Sequence, residues 1–475
     1  MKEHCGVFGI SYSLDAAHDI FYGLLALQHR GQESAGISTF NDSIKTHVGM
    51  GLLNEVFDTE KLMQLKSSIG VGHVRYSTAG ASIIENAQPM EFESEKYKIA
   101  LGLNGNVPNY QMLMNNLSAE HQFKTACDAE GLGIIFLKTL DRTDDIIESG
   151  KEVLTKVPAA YSIVALVHDK MNKKCSVVGI RDRFGLRPLC IGEKDGSYII
   201  ASESVALDAV GANLISDVEP GSIEIVSNNE RVSKKLVESR KAHCMFEFVY
   251  FSRPDSILEG KSVYDVRIKL GKNLIKAFNT NVQVVVPVPD TSRPAAEGIS
   301  EVVDIPVAEG LMKNRYIGRT FIMPEQKSRE DAVKTKLNPV KSVLKDKNIV
   351  LVDDSVVRGT TTSKIVKLVK NAGAKNVDVW ITCPPIISPC FYGIDMKSHS
   401  ELIAANNSVE EIREIMGADS LNYQTIEGLN DAIGIDGLCT ACLTGIYPTE
   451  DAQKLADKMK EQTGLMKKKF WEKKS

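Results

Sequence analysis

Short apolar runs broken by Gly, Asn, Asp and Ser set the rhythm of roughly the first 230 residues. Residues 97–103, 161–167, 175–180 and 198–201 are such runs, and their close spacing predicts antiparallel sheets. Residues 128–140 (DAEGLGIIFLKTL) begin on Asp and repeat apolar positions at helical spacing, which predicts a helix among the strands. The mixture is that of an α+β sandwich. From about residue 260 to 395 the rhythm changes. Residues 282–288 (VQVVVPV) and 349–352 (IVLV) are runs rich in β-branched residues, of the kind that buried parallel strands require. Residues 361–373 place Ile365, Leu368, Val369 and Ala372 on one helical face and stop at Gly373, and a third strand follows at 377–382. Strand, helix, strand predicts a βαβ unit and a parallel sheet. Residues 400–475 read as helical and polar and end in a basic run, LMKKKFWEKKS, expected to be a solvated tail.

A chain of 475 residues has room for two large domains or about three ordinary ones. Its net charge of −4 argues against a protein built to coat nucleic acid or an anionic membrane. No apolar run reaches the ~18 residues of a membrane span. The first nine residues lack the charged-then-apolar pattern of a signal peptide, so a cytoplasmic protein is expected. Nine scattered Cys then read as reduced thiols, a metal site or a catalytic Cys, not as a disulfide framework.

The sharpest motif is residues 349–362, IVLVDDSVVRGTTT. An apolar strand delivers Asp353 and Asp354 at its carboxyl end, where open α/β sheets bind ligands. The small-residue loop then opens a helix. Backbone N–H groups at Gly359, Thr360 and Thr361 can hold a phosphate there. The paired acids can take a ribose diol or the shell of an Mg²⁺ ion. The Gly-Lys-Ser/Thr of a Walker loop is absent. The string resembles the phosphoribosylpyrophosphate (PRPP) signature of type I phosphoribosyltransferases. That resemblance implies that Asp353, Asp354, Arg358, Gly359, Thr360 and Thr361 bind PRPP. Upstream, residues 286–292 (VPVPDTS) look like the pyrophosphate-side loop, and Ser292, Asp353 and Asp354 become the candidate Mg²⁺ ligands. Residues 313–347, with ten basic and four acidic residues, suit a loop that covers the pyrophosphate.

Near the other end, Cys5 opens CGVFGI. A Cys there is more often a small core residue than a nucleophile. Its companions are QHRGQESAG (28–36), GHVRYSTA (72–79), LNGN (103–106) and Asp128. These strings, in this order, resemble the class II glutamine amidotransferase domain of the N-terminal-nucleophile fold. The resemblance implies that residues 1–4 are a propeptide whose removal makes Cys5 the first residue. A free α-amino group, with a pKa near ~7.7–8.0, can then act as base for the thiol on the same residue. The further implied roles are an oxyanion hole from Asn104 and Gly105, with Arg75 and Asp128 binding the glutamine carboxylate and ammonium. The family usually has His where Leu103 stands and Thr where Ala129 stands.

Cys439 and Cys442 form a C-x₂-C pair, which zinc, redox and iron–sulfur sites all share. Cys244 and Cys390 stand alone. Cys127, Cys175, Cys190 and Cys383 are expected in the core. With FVYFSRPDS (248–256) between them, the two halves together resemble the glutamine PRPP amidotransferases over nearly the whole chain. In one branch of that family, Cys at positions matching 244, 390, 439 and 442 bind a 4Fe-4S cluster.

The expected organisation is a propeptide (1–4), a glutaminase domain (5–230) with an αββα sandwich, and an inter-domain segment (231–260). A phosphoribosyltransferase domain with a parallel sheet and C-terminal helices (261–460) and a basic tail (461–475) complete it. The implied reaction is glutamine + PRPP + water → 5-phosphoribosylamine + glutamate + diphosphate, the first committed step of purine synthesis, with ammonia passed between two sites. The resemblance also implies a homodimer or homotetramer, feedback inhibition by purine nucleotides, and no nucleic-acid or membrane partner. The alternative is a nucleotide-responsive PRPP-binding regulator without catalysis, for which the Cys5, Arg75, Asn104 and Gly105 set would have no use.

Overall fold

The structure is a computed structural model that describes residues 5–76, 82–118, 121–275, 281–314 and 337–472, with side chains described to residue 461. The proposed propeptide, residues 315–336 of the expected covering loop, Ser77 to Ala79 of GHVRYSTA and the side chains of the basic run lie outside the described residues.

Among the described residues, two antiparallel sheets of seven and six strands fill the first half. In the larger one, Gly6–Ile10 sits between Ser197–Ala201 and Gly70–Arg75. In the smaller one, Tyr97–Asn106 sits between Met90–Glu93 and Ala160–Asp169. Val7, Val71, Ala100, Val164, Val177 and Ile200 meet between the sheets as one buried core. Each outer face carries helices. Ala16–Ala26 packs Ala16, Ile20 and Leu24 on the larger sheet, and its first turn is capped by Asp15 accepting from the His18 N–H at 3.3 Å. Asp128–Thr143 and Ile146–Lys156 cover the smaller sheet. The layers are helix, sheet, sheet, helix: the patterning predicted an α+β sandwich, and the αββα order is the one the resemblance implied. The smaller sheet's last strand, Glu230–Lys235, runs five residues beyond the expected end of this domain at residue 230.

The second half is built on a parallel sheet in the order Val284–Pro287, Asn348–Asp353, Asn376–Ile381, Ser420–Tyr423. The first three strands are those expected. The fourth corrects the reading of residues 400–475 as helical. Its four residues, SLNY, carry one apolar side chain that is fully turned inward, Leu421, so they show no apolar run. The helix Thr360–Asn371 returns the chain from the second strand to the third and buries Ile365, Val366 and Val369 against the sheet. Among the described residues no helix is long and apolar enough to cross a membrane.

Candidate active sites

Strand alternation decides what meets Cys5. On Gly6–Ile10, Val7 points between the sheets, so Cys5, two residues earlier, takes the same face. On Gly70–Arg75, Val71 points inward and His73 packs beside Gly102 of the facing sheet, which sends Arg75 inward too. On Tyr97–Asn106, Ala100 and Gly102 face inward, and Asn104 follows. Cys5, Arg75 and Asn104 therefore share one inter-sheet face. They also share one end: Gly6 pairs with Val74, and His73 Nε2 lies 3.0 Å from the Leu103 carbonyl oxygen, one residue before Asn104. That oxygen can only accept, so Nε2 donates. Burial holds the His73 ring pKa down to about 3, with the Arg75 charge acting in the same direction.

The Cys5 thiol is buried and lies against the Tyr76 backbone, 3.4 Å from its oxygen and 3.5 Å from its nitrogen. Burial pushes the thiol pKa up; Asp128 and Glu33 add to this, while the Tyr76 peptide and Arg75 oppose it. The resting group is a thiol, so nucleophilic use of it requires a base. Both polar atoms of the Asn104 amide are buried with no protein hydrogen-bond partner. A side chain at Gly105 would put its Cβ 2.2 Å from the Ala160 oxygen, so that position accepts only glycine. Asp128 opens its helix and accepts from the Val107 N–H at 3.0 Å, which ties the helix to the end of the Asn104 strand. Burial raises the Asp128 pKa to about 6 against the lowering pull of that bond and of Arg75.

Cys127 is buried in the core, as expected, and also touches the site. Its thiol lies 3.8 Å from Asp128 Oδ1 and accepts from Gln88 Nε2 at 3.5 Å, while Gln88 Oε1 accepts from the Leu103 N–H at 2.7 Å. Gln88 belongs to no motif and was not singled out from the sequence.

In the other half, a cavity of about 420 Å³ opens at the carboxyl end of the parallel sheet. Asp353 and Asp354, the stretch from Ser355 to Thr362, Lys313 and Asp395 line it. Thr291 Oγ1 donates to Asp354 at 2.9 Å and Ser355 Oγ at 2.5 Å. Burial pushes both acid pKa values up, and the adjacent Asp354 charge raises Asp353 further. Gly359 caps the helix Thr360–Asn371 with φ of +72°, and a Cβ there would sit 2.6 Å from Ile403. Arg358 pairs with Glu401 at the rim. Ser292, beside Thr291, is buried and its hydroxyl has no protein partner. Carboxylates and a hydroxyl are hard oxygen donors, the chemistry that Mg²⁺ takes; the two acids line the cavity, and Ser292 is not among its lining residues. Behind Asp354 lies a residue the sequence did not flag, Arg267. Its buried guanidinium donates to the Phe248 and Ser252 carbonyls at 2.9 and 2.8 Å.

Cys244, Cys390, Cys439 and Cys442 all line one small apolar cavity with Arg187 and Tyr447. Cys244 and Cys439 face each other in the parallel register of His243–Cys244 with Leu438–Cys439. Burial raises the thiol pKa values of all four; Arg187 pulls those of Cys244, Cys390 and Cys439 down. Among the described residues, no three His, Cys, Asp or Glu side chains are placed to hold a single metal ion. Four thiols spread around one cavity fit instead a group that takes four separate thiolates, as a 4Fe-4S cluster does.

A further cavity of about 300 Å³ lies between the two halves. Tyr76, whose backbone holds the Cys5 thiol, lines it, as do Asn106, Phe391, Asp395 and, from the last helix, Leu455 and Met459. Asp395 also lines the cavity at the acid pair. Asn106 Nδ2 donates across the boundary to the Phe391 oxygen at 2.8 Å.

Two family models match the chain, a glutamine amidotransferase domain over residues 57–234 and a phosphoribosyl transferase domain over 254–387. The amidophosphoribosyltransferase of Methanothermobacter thermautotrophicus is 49% identical, covering 94% of this chain and 95% of its own. That of Bacillus subtilis is 42% identical over 95% of both. Among solved structures, the B. subtilis glutamine PRPP amidotransferase complexed with ADP and GMP aligns with a TM-score of 0.86 at 41% identity, over 94% of this chain and 98% of that one. A structure described as the allosteric regulatory enzyme of purine biosynthesis aligns with a TM-score of 0.87 at 42% identity, over 94% and 96%. Likeness of this extent spans both halves, and the chain belongs to the amidophosphoribosyltransferase family.

Proposed function

We propose that this chain carries out the family's reaction, glutamine + PRPP + water → 5-phosphoribosylamine + glutamate + diphosphate, with Cys5 as glutaminase nucleophile and Asp353 and Asp354 at the PRPP site. The observation that carries this reading is the cavity between the halves, bounded by Tyr76 beside Cys5 and by Asp395 beside the acid pair.

Removal of residues 1–4 supplies the base that a buried thiol requires: the α-amine of Cys5 takes the thiol proton. The sulfur attacks the glutamine amide carbon, Asn104 and the Gly105 N–H hold the developing oxyanion, and the amine returns its proton to the departing ammonia. Water then hydrolyses the thioester to glutamate. Arg75 and Asp128 hold the substrate's carboxylate and ammonium. Ammonia released to bulk water would be protonated and lose its nucleophilic pair, so the intervening cavity serves as its route. At the far end ammonia bonds to C1 of PRPP and the C1–O bond to diphosphate breaks. The backbone around Gly359 to Thr361 holds the 5′-phosphate. Asp353, Asp354 and Ser292 would hold Mg²⁺, which when bound neutralises charge on the departing diphosphate. The four thiols would hold a 4Fe-4S cluster, which when bound cross-links residue 244 to the C-terminal part of the fold.

Inhibition by purine nucleotides, a homodimeric or homotetrameric assembly and a cytoplasmic place belong to the same proposal. The first is supported by the ADP and GMP in complex with the B. subtilis enzyme. The direct test is Cys5→Ala assayed with glutamine and, separately, with ammonium. Phosphoribosylamine formation from glutamine is lost and that from ammonium persists. Retention of the glutamine reaction would remove Cys5 from the scheme.

A further inference from the structure

Behind Cys5 lies a set of buried charges that the reaction above does not use. Arg30 is 1% exposed, and its Nε donates to the Cys5 carbonyl oxygen at 3.1 Å. Its two Nη atoms grip Glu247, Nη1 to Oε2 at 3.0 Å and Nη2 to Oε1 at 2.8 Å, and Nη1 also meets Glu203. A forked pair of this kind fixes the plane of the guanidinium, and so fixes where Nε points. Glu247 is itself held from two further sides: Ser252 Oγ donates to Oε2 at 2.9 Å and Arg187 Nη1 to Oε1 at 3.3 Å. Arg30 and Arg187 balance Glu203 and Glu247, so these four buried groups together carry no surplus charge.

The placing of Glu247 gives this set a meaning. It comes from the turn Glu247–Phe251 in the segment that joins the two halves, not from the sandwich that holds Cys5. If Cys5 becomes the first residue, its peptide is anchored from one side only. The carbonyl held by Arg30 is then the backbone group closest to the thiol that the fold can grip. An error of about 1 Å in a reacting atom can cost on the order of a hundred-fold in rate.

We propose that Glu247 is a positioning residue for the Cys5 nucleophile, acting through Arg30 on the peptide that carries the thiol. Because Glu247 belongs to the inter-domain segment, the alignment of the nucleophile depends on how the halves are joined. The proposal rests on the reading of Cys5 as the glutaminase nucleophile.

The test is Glu247→Gln in the full, processed protein, assayed with glutamine and with ammonium as nitrogen donors. The expected result is a fall in kcat for glutamine of roughly 10- to 100-fold, with KM within about two-fold and the ammonium-driven rate kept. Loss of both rates in parallel would reveal a merely structural role and overturn the proposal, as would an unchanged glutamine kcat. Should Glu247→Gln not fold, Arg30→Lys reads the same point, since it keeps a charge for Glu247 but lacks the Nε–H aimed at Cys5. Full glutamine activity in Arg30→Lys would equally overturn the proposal. In a double cycle the two substitutions together cost no more than the larger one alone; additive losses would show that they act separately. Cys5→Ala keeps the two failures apart: if that variant still uses glutamine, the nucleophile is misassigned, whatever Glu247 does.

Discussion

Asn104 carries a buried amide with no hydrogen-bond partner in the protein, so truncating it breaks no side-chain hydrogen bond that holds the fold. Its loss therefore reports on chemistry. Asn104→Ala is expected to lower kcat for glutamine hydrolysis by roughly 10²–10³ while leaving the melting temperature nearly unchanged, measured as glutamate release and by calorimetry. Asp128 behaves differently. Burial places its pKa at about 6, and it must be ionised to hold the substrate ammonium. As pH falls through 6 it takes up a proton, so kcat/KM for glutamine is expected to drop there, and Asp128→Asn should abolish that limb of the profile along with most of the affinity. At this scale the sequence was legible wherever a motif carried the residue: Cys5, Arg75, Asn104 and Asp353 all stand in the strings that pointed to them. Gln88, Arg30, Glu247 and Arg267 were not legible as partners. Most of their partners sit on other elements of the fold, and an Arg or Glu in isolation reads as a solvated charge until burial is known.

Strand and helix ends place the chemistry. Alternation along Gly6–Ile10, Gly70–Arg75 and Tyr97–Asn106 was visible as apolar rhythm, but which face looked inward depended on pairing that no single run encodes. The parallel strands were legible because both their faces are buried, which makes their apolar runs continuous. Ser420–Tyr423 was missed for the opposite reason, being short and at the sheet edge. The turn into Thr360–Asn371 gives a sharp test. Gly359 holds φ at +72°, a region that costs an L-residue about 1–2 kcal/mol, and a Cβ would also press on Ile403. Gly359→Ala is expected to raise the KM for PRPP about ten-fold in the ammonium-driven assay and to leave glutamine hydrolysis alone. An unchanged KM would mean that this loop does not hold the phosphate.

Across the whole molecule, the two halves are joined by buried contacts and not by a bare linker. Ala160, Phe184 and Leu186 from the sandwich pack with Tyr392, Ala441 and Tyr447 from the second half. Arg187 reaches across to the Tyr392 carbonyl and lines the cavity of the four thiols. A cluster bound there would weld the last segments to residue 244, so Cys439→Ser is expected to lower iron and sulfide content and the unfolding temperature together. Normal stability without iron would remove the cluster from the account. None of this joining could be read from order along the chain, because Asn106 and Phe391 are 285 residues apart. The central claim is that ammonia made at Cys5 reaches the acid pair through the cavity between them. The measurement that tests it supplies amide-¹⁵N glutamine and PRPP in the presence of an equal concentration of unlabelled ammonium, and reads ¹⁵N in trapped phosphoribosylamine. Passage through the protein predicts a product carrying nearly the full label of the glutamine amide; a product diluted to the isotope ratio of the medium would contradict it.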